Sequence, residues 1–257
     1  MEYGIGMLSV VPMRAETSDK AEIVTQLLFG ECYEVVAEEG NWRRLQLASD
    51  GYEGWIDYKQ HTPVSEVYFQ EWRQAVHPRA AELMQVVSGA ENPIPVGIGS
   101  YLPFYKDGRM RVNDAFHHYS GAVSDPTVQA TGALAMKYAE KFRKAPYLWG
   151  GKSPFGIDCS GFTQLVYGLC GYQLPRDAFQ QVEHGQEVHF VSQTQPGDLA
   201  YFANSEGRIT HVGLMLENEQ IMHAHGEVRI DTLDHTGIYN SDLKRYTHQL
   251  RLIKRIF

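Results

Sequence analysis

The chain has 257 residues, 43% hydrophobic and 21% charged, which is enough to bury a sizeable core in two or three small domains. Its formal net charge of −8 lies wholly in residues 1–125, where 10 Lys and Arg stand against 18 Asp and Glu. Such a surface excludes nucleic acid and anionic membrane as partners, and no apolar run reaches the ~18 residues a membrane span needs.

In chain order, Met1 to Leu8 carry no basic n-region, apolar h-region or cleavage site. A cytoplasmic location is therefore expected, with the periplasm or secretion as the alternative if a leader was removed. Residues 6–11, 24–29, 34–37, 42–47 and 54–56 read as short strands separated by Gly, Asp, Asn and Ser turns, the pattern of a small barrel. Cys32, in a mostly apolar segment, is expected to be a small buried hydrophobe. Residues 64–87 turn helical, with Pro78 breaking or starting a helix, and residues 94–121 return to strands and turns. Gly97-Ile-Gly99 lacks the third glycine of a phosphate loop, so no nucleotide cofactor is expected. No Cys-x-x-Cys or His-Glu-x-x-His occurs, and none of the three cysteines stands at metal-ligand spacing; no metal is expected either. An odd number of cysteines at unrelated spacings suits a reducing compartment.

The most informative stretch is Tyr147-Leu-Trp-Gly-Gly-Lys-Ser-Pro-Phe-Gly-Ile-Asp-Cys159-Ser-Gly-Phe162. A glycine-rich loop passes into an amphipathic helix, with Phe162, Leu165, Val166, Leu169 and Cys170 at three- and four-residue spacing and Gly171 as its cap. Cys159 falls in the first turn, where free N–H groups and the helix dipole favour a thiolate and are expected to lower its pKa. Cys170 faces the apolar side and reads as packing. Downstream, His211-Val-Gly-Leu-Met-Leu216 and Gln220-Ile-Met-His-Ala-His225 read as two strands joined by a polar turn. A base and its orienting partner can sit on such a hairpin. His223 and His225 alternate onto the same face and compete for the second role. The remaining histidines, among them His117, His118, His184, His189 and His235, are expected to face solvent.

These segments resemble the catalytic domain of the NlpC/P60 family of cell-wall peptidases, relatives of the papain-like fold. The resemblance is carried, in order, by Tyr-Leu-Trp-Gly-Gly at 147–151, Asp-Cys-Ser-Gly-Phe at 158–162, Leu-Pro-Arg-Asp at 174–177, Gln-Pro-Gly-Asp-Leu at 195–199, His211-Val-Gly and Ile-Met-His223-Ala. Gly40-Asn-Trp42 and Gly51-Tyr-Glu-Gly-Trp55 resemble a bacterial SH3 domain. The implied fold class is α+β: a papain-like catalytic domain at 122–257, preceded by SH3-like β-barrels at 1–62 and, in diverged form with a helical segment, at 63–121.

The same resemblance implies a catalytic set of Cys159 as nucleophile, His211 as base and His223 as its orienting partner, and its register favours His223 over His225. Tyr147 and the Cys159 N–H would lie near the oxyanion. SH3-like modules before this domain resemble the γ-D-glutamyl-L-diamino acid endopeptidases, in which the first module closes one end of the cleft and substrates present a free N-terminal L-Ala. Asp158 is then the carboxylate for the ammonium, Tyr52 and Glu22 are contributions from the first domain, and Ser160 and Asp177 meet other polar groups of the peptide. Ala178 stands where the family has serine, which removes one hydroxyl. The implied partner is a murein peptide, L-Ala-γ-D-Glu-diamino acid, handled by a monomer without cofactor. A general peptidoglycan hydrolase or amidase, or a non-catalytic wall-binding protein, are the competing readings.

Overall fold

In the computed structural model, which describes residues 1–89 and 92–257, the N-terminal alternation of apolar and polar residues forms seven antiparallel strands. They are β1 (Glu2–Ile5), β2 (Val10–Arg14), β3 (Ile23–Leu28), β4 (Cys32–Glu39), β5 (Trp42–Leu47), β6 (Glu53–Asp57) and β7 (Pro63–Val64), ordered β3-β2-β6-β5-β4-β1-β7. Inward positions of successive strands, Val11, Met13, Leu27, Tyr33, Leu45, Leu47 and Ile56, make one core. Of the strand expected at 6–11, only Val10 and Val11 are strand, in β2; residues 6–9 form the connection from β1, because pairing with β4 ends at Ile5 and pairing with β3 begins at Val10.

Ser65 caps helix α1 (Glu66–Gln74) by accepting the Tyr68 N–H, and the helix packs Tyr68, Phe69 and Trp72 onto Tyr3, Ile5 and the buried Cys32. Only this part of the expected helical stretch 64–87 is helical. Beyond Pro78, the β-branched Val86 and Val87 lie in β8 (Met84–Ser88). With β9 (Ile94–Gly97), β10 (Arg109–Val112) and β11 (Ala115–Tyr119) it forms a sheet ordered β10-β11-β8-β9. In β11 the alternation turns His117 and Tyr119 inward, so His117 is buried rather than solvent-facing, whereas His118 is exposed.

The chain divides into two units, Met1–Val128 with Trp149–Pro154, and Gln129–Leu148 with Phe155–Phe257. Within the first, Trp149 Nε1 donates to Glu22, and the Lys152 N–H, in the short strand β12 (Lys152–Ser153), donates to Gln26 Oε1 at 2.6 Å. The Lys152 ammonium lies 3.5 Å from the Glu31 carboxylate, with both side chains buried, and Glu31 also accepts from Ser49 Oγ.

The second unit contains α2 (Gly132–Ala139), β13 (Gly156–Ile157), α3 (Cys159–Leu169), α4 (Ala178–Gln181), β14 (Gln186–Val188), β15 (Leu199–Ala203), β16 (Ile209–Met215), β17 (Gln220–His225), β18 (Glu227–Leu233), β19 (Gly237–Asn240) and β20 (Arg245–Arg255). Seven of the strands form an antiparallel sheet ordered β14-β20-β15-β16-β17-β18-β19, and β19 also pairs with β20. Helix α3 packs on β16 and β17 and against α2. It is buried along its whole length rather than amphipathic: even Thr163 and Gln164, on its polar side, are covered. Gly171, at φ +82°, ends it in the left-handed conformation that glycine adopts at least cost.

Candidate active site

Asp158 is the N-cap of α3 and accepts the Gly161 N–H at 2.7 Å, which makes Cys159 the first helical residue. The backbone of Val212 and of Ser160 lies close enough to the Cys159 sulfur to favour its charged form, so β16 runs beside it with His211 one residue away. The thiol pKa departs from the sequence expectation. Burial first, then the Asp158 carboxylate, push it up to about 12, and the Val212 and Ser160 backbone and Arg176 offset this only in part. The helix start does supply N–H groups, but Cys159 is only 8% exposed and the buried Asp158 sits next to it in the chain.

Strands β16 and β17 meet in the expected hairpin, Leu214 opposite Met222 and Met215 opposite Ile221, with Asn218 and Glu219 taking positive φ at the turn. His223 and His225 share a face, their rings nearly parallel and 6.0 Å apart. Of the two, the fully buried His223 is hydrogen-bonded to His211: Nδ1 lies 2.9 Å from His211 Nε2. His225, half-buried, packs on His248 instead. A Cβ at Gly213 would lie 2.9 Å from His223 Cβ and 2.7 Å from Ile221 Cδ1, so this glycine leaves the room that the imidazole occupies.

Behind His223, its Nε2 stands 3.0 Å from Asp231 Oδ2. Arg229 Nη2 donates to the other oxygen of Asp231 at 3.0 Å and reaches out to Asp242 at 2.7 Å. Burial acts to raise the Asp231 pKa, but the bonds from His223 and Arg229 outweigh it and hold the carboxyl below its usual range. His211 is depressed well below an ordinary imidazole, by burial first and then by His223, His248 and His225. Burial also lowers His223 despite Asp231, and takes His248 down to about 3. These three rings are neutral at pH 7.

His211, His223 and His248 place ring nitrogens within 4.8 Å of one another. They do not fit a metal ion. The His211 and His248 rings are stacked at 4.1 Å and 23°, so their in-plane lone pairs run side by side rather than converge on a point ~2 Å from each. His223 has both nitrogens engaged already.

The proposed substrate-contacting residues fall in different settings. Asp158 is paired in two-pronged fashion with the buried Arg176, at 3.0 and 2.6 Å, and Arg176 also donates to Ser160 Oγ at 2.9 Å. Gln181 ties this cluster to both helices, donating to the Ser160 and Pro175 carbonyls and accepting from Thr163 Oγ1. Asp177 caps α4 in a capping box with Gln180. The Tyr147 hydroxyl feels Cys159 and Asp158 closely enough that, after burial, their charges help push its pKa up to about 12. Tyr52 and Glu22 lie in the first unit, where Tyr52 packs against the barrel core and Glu22 accepts from Trp149.

Arg176, Asp231 and His248 were not singled out by their residue patterns. Arg176 lies within Leu-Pro-Arg-Asp at 174–177, next to Asp177, and the other two lie on strands whose pairing a sequence does not display. His184, expected in solvent, is half-buried against Tyr172.

Comparison with known proteins shows the family of the chain. The NlpC/P60 family matches residues 144–248, and the bacterial dipeptidyl-peptidase SH3 domain matches residues 13–60. The chain is 33% identical over 239 residues to the γ-D-glutamyl-L-lysine dipeptidyl-peptidase of Bacillus subtilis (strain 168), covering 86% of this chain and 79% of that one. It is 27% identical over 256 residues to dipeptidyl-peptidase 6 of Lysinibacillus sphaericus, covering 89% and 91%. A crystal structure of an NlpC/P60 family protein from Bacillus cereus ATCC 10987 superposes with a TM-score of 0.81 over 99% of both chains at 20% identity, which shows a shared fold.

Proposed function

The chain belongs to the NlpC/P60 family of peptidases, and from that premise we propose a cysteine peptidase that hydrolyses the γ-D-Glu–diamino acid bond of cell-wall peptides with a free N-terminal L-Ala. The observation that carries the reading is the seating of the Cys159 sulfur against the backbone of Val212, next to a His211 that is hydrogen-bonded to His223. The names of the relatives above support the substrate class and point to L-lysine as the diamino acid.

In the proposed reaction His211, whose Nε2 is committed to His223, uses Nδ1 to take the thiol proton. The sulfur attacks the γ-carbonyl, and the oxyanion is met by the Cys159 N–H and the Tyr147 hydroxyl. The same Nδ1 then protonates the departing amine, which leaves as the diamino acid or a peptide beginning with one, and water hydrolyses the remaining thioester to L-Ala-D-Glu and the free Cys159 thiol. Starting from a neutral thiol and a neutral imidazole, the charge pair forms as the substrate is attacked. Asp158, Ser160 and Asp177 are the proposed contacts for the substrate ammonium and its polar neighbours. The setting is the recycling of freed wall peptides.

The test is incubation of the purified protein with L-Ala-γ-D-Glu-L-Lys and with intact peptidoglycan, followed by chromatography of the products. Release of L-Ala-D-Glu from the free peptide, abolished in Cys159→Ala and Cys159→Ser, is expected. Full turnover by either variant overturns the thiol mechanism.

A further inference from the structure

The hydrogen-bonded line from His211 does not stop at His223, and where it stops decides which nitrogen of His211 is free. We propose that Asp231 is a positioning residue of the peptidase, fixing the tautomers of both histidines so that the His211 lone pair is on the nitrogen facing away from His223; this rests on the proposed thiol mechanism.

The argument is one of donors and acceptors. An ionised carboxylate only accepts, so His223 carries its proton on Nε2, 3.0 Å from Asp231 Oδ2. His223 Nδ1 is therefore bare and accepts, and at 2.9 Å the donor is His211 Nε2–H. That leaves His211 Nδ1 without a proton, as a general base must be. Reversing the proton at the far end would reverse each ring in turn and leave His211 Nδ1 protonated and unable to act.

Asp231 is built to hold one setting. Its side chain is 1% exposed, Arg229 donates to it from Nη2 and holds Nε 2.9 Å from Oδ2 as an ion pair, and Asn240 Nδ2 lies 3.4 Å away. Arg229 is in turn anchored to Asp242 at the surface. When His211 takes the thiol proton, the new positive charge is shared along Nε2–H toward His223 and is balanced by the Asp231 carboxylate at the end of the line. No proton need leave His223. The carboxylate is bonded to His223, Arg229 and Asn240, so its proposed effect on the reaction is through orientation and charge.

Asp231→Asn is the discriminating change, because the asparagine amide is nearly the same shape and can donate to His223 Nε2, turning the line around. In full-length protein with 15N-labelled histidine, NMR of the wild type is expected to show Nε2–H and bare Nδ1 on both His211 and His223. The variant is expected to show the opposite tautomers, with kcat lower by roughly a thousand- to ten-thousand-fold and KM little changed, as when the orienting carboxylate of a triad is neutralised. Wild-type rings protonated on Nδ1, or a folded variant with kcat within tenfold of the wild type, overturn the proposal. The wild-type spectrum decides even if the variant does not fold. Absence of peptide cleavage by the wild type would count against the peptidase reading and leave the tautomer result standing by itself.

Discussion

His211 and His223 meet nearly edge to face, their planes at 84° and Nε2 and Nδ1 2.9 Å apart, with the bond buried beside the sheet. A bond in that position holds one ring by means of the other. His223→Ala should lower turnover by about a thousandfold, whereas His225→Ala, which removes only a ring stacked at the edge of the group, should cost no more than a few-fold. Steady-state kinetics of the two variants check this, and a larger loss from His225 would assign the second role to the wrong histidine.

Gly213→Ala tests the same pair from the opposite strand. The added methyl would meet the His223 and Ile221 side chains at under 3 Å, so the imidazole must shift. Displacement of a catalytic group by a fraction of an ångström to an ångström costs up to ~100-fold in rate, and overpacking about 1–3 kcal/mol in stability. Unchanged kcat and an unchanged melting temperature would show that the hairpin has slack.

Arg176→Met should destabilise the second unit by about 3–5 kcal/mol, because it leaves the buried Asp158 carboxylate without its charged partner at the start of α3. Urea titration measures the loss. Adding Asp158→Asn should recover part of it, and an equal loss in the double variant would mean that the pair matters through shape rather than charge.

Stability should fall on acidification from pH 7 toward 4. His211, His223, His248 and, in the first unit, His77 all bind protons less readily when folded than the ordinary value of 6.5, chiefly through burial. Below about pH 6.5 the unfolded chain takes up protons that the folded chain refuses, so stability that is complete above that pH drains away until the folded values are reached, about 4 for His77 and about 3 for His248. Each fully buried histidine contributes a slope of up to ~1.4 kcal/mol per pH unit, and the part-exposed His248 less. Thermal midpoints across this range check the sign, and His248→Gln should flatten the dependence.

Acetylating the N-terminus of the peptide substrate should lower kcat/KM by orders of magnitude if Asp158 and its neighbours receive an ammonium. Losing a charge-assisted hydrogen bond and leaving its acceptor unpaired costs roughly 2–5 kcal/mol. Equal cleavage of free and acetylated peptides would instead fit a general wall hydrolase.

The motifs of the candidate site were legible because each is local: Asp158-Cys159-Ser160 is cap, first turn and proposed nucleophile within three residues, and the 211–225 hairpin needs only a turn and two alternating runs. What was not legible depends on register between distant segments. Asp231 comes under His223 only through the β17–β18 pairing, and His248 stacks on His211 only because β20 pairs with β15, which pairs with β16. The direction of the Cys159 shift was misread for a related reason. Helix-start chemistry is local, but burial, the larger effect here, is a property of everything packed around it. The helical reading of 64–87 failed beyond Gln74, where pairing with β9 and β11 claimed residues whose local pattern was ambiguous.

The return of Trp149–Pro154 to the first unit has a practical bearing on how the gene can be cut. A fragment begun near residue 122 or 129 looks like an independent domain when read along the line, yet it would carry Lys152 without Glu31 or Gln26, and Trp149 without Glu22. The charge of Lys152, a residue 4% exposed in the whole chain, would then have to find water or a new anion. Conversely, a fragment ending at Val128 would leave Glu31, with its side chain 1% exposed, without that cation. The two units interleave in sequence, so either half expressed alone should be less soluble and more easily proteolysed than its length and composition promise, while paired expression or a permuted chain keeping 149–154 with the barrel would preserve these bonds.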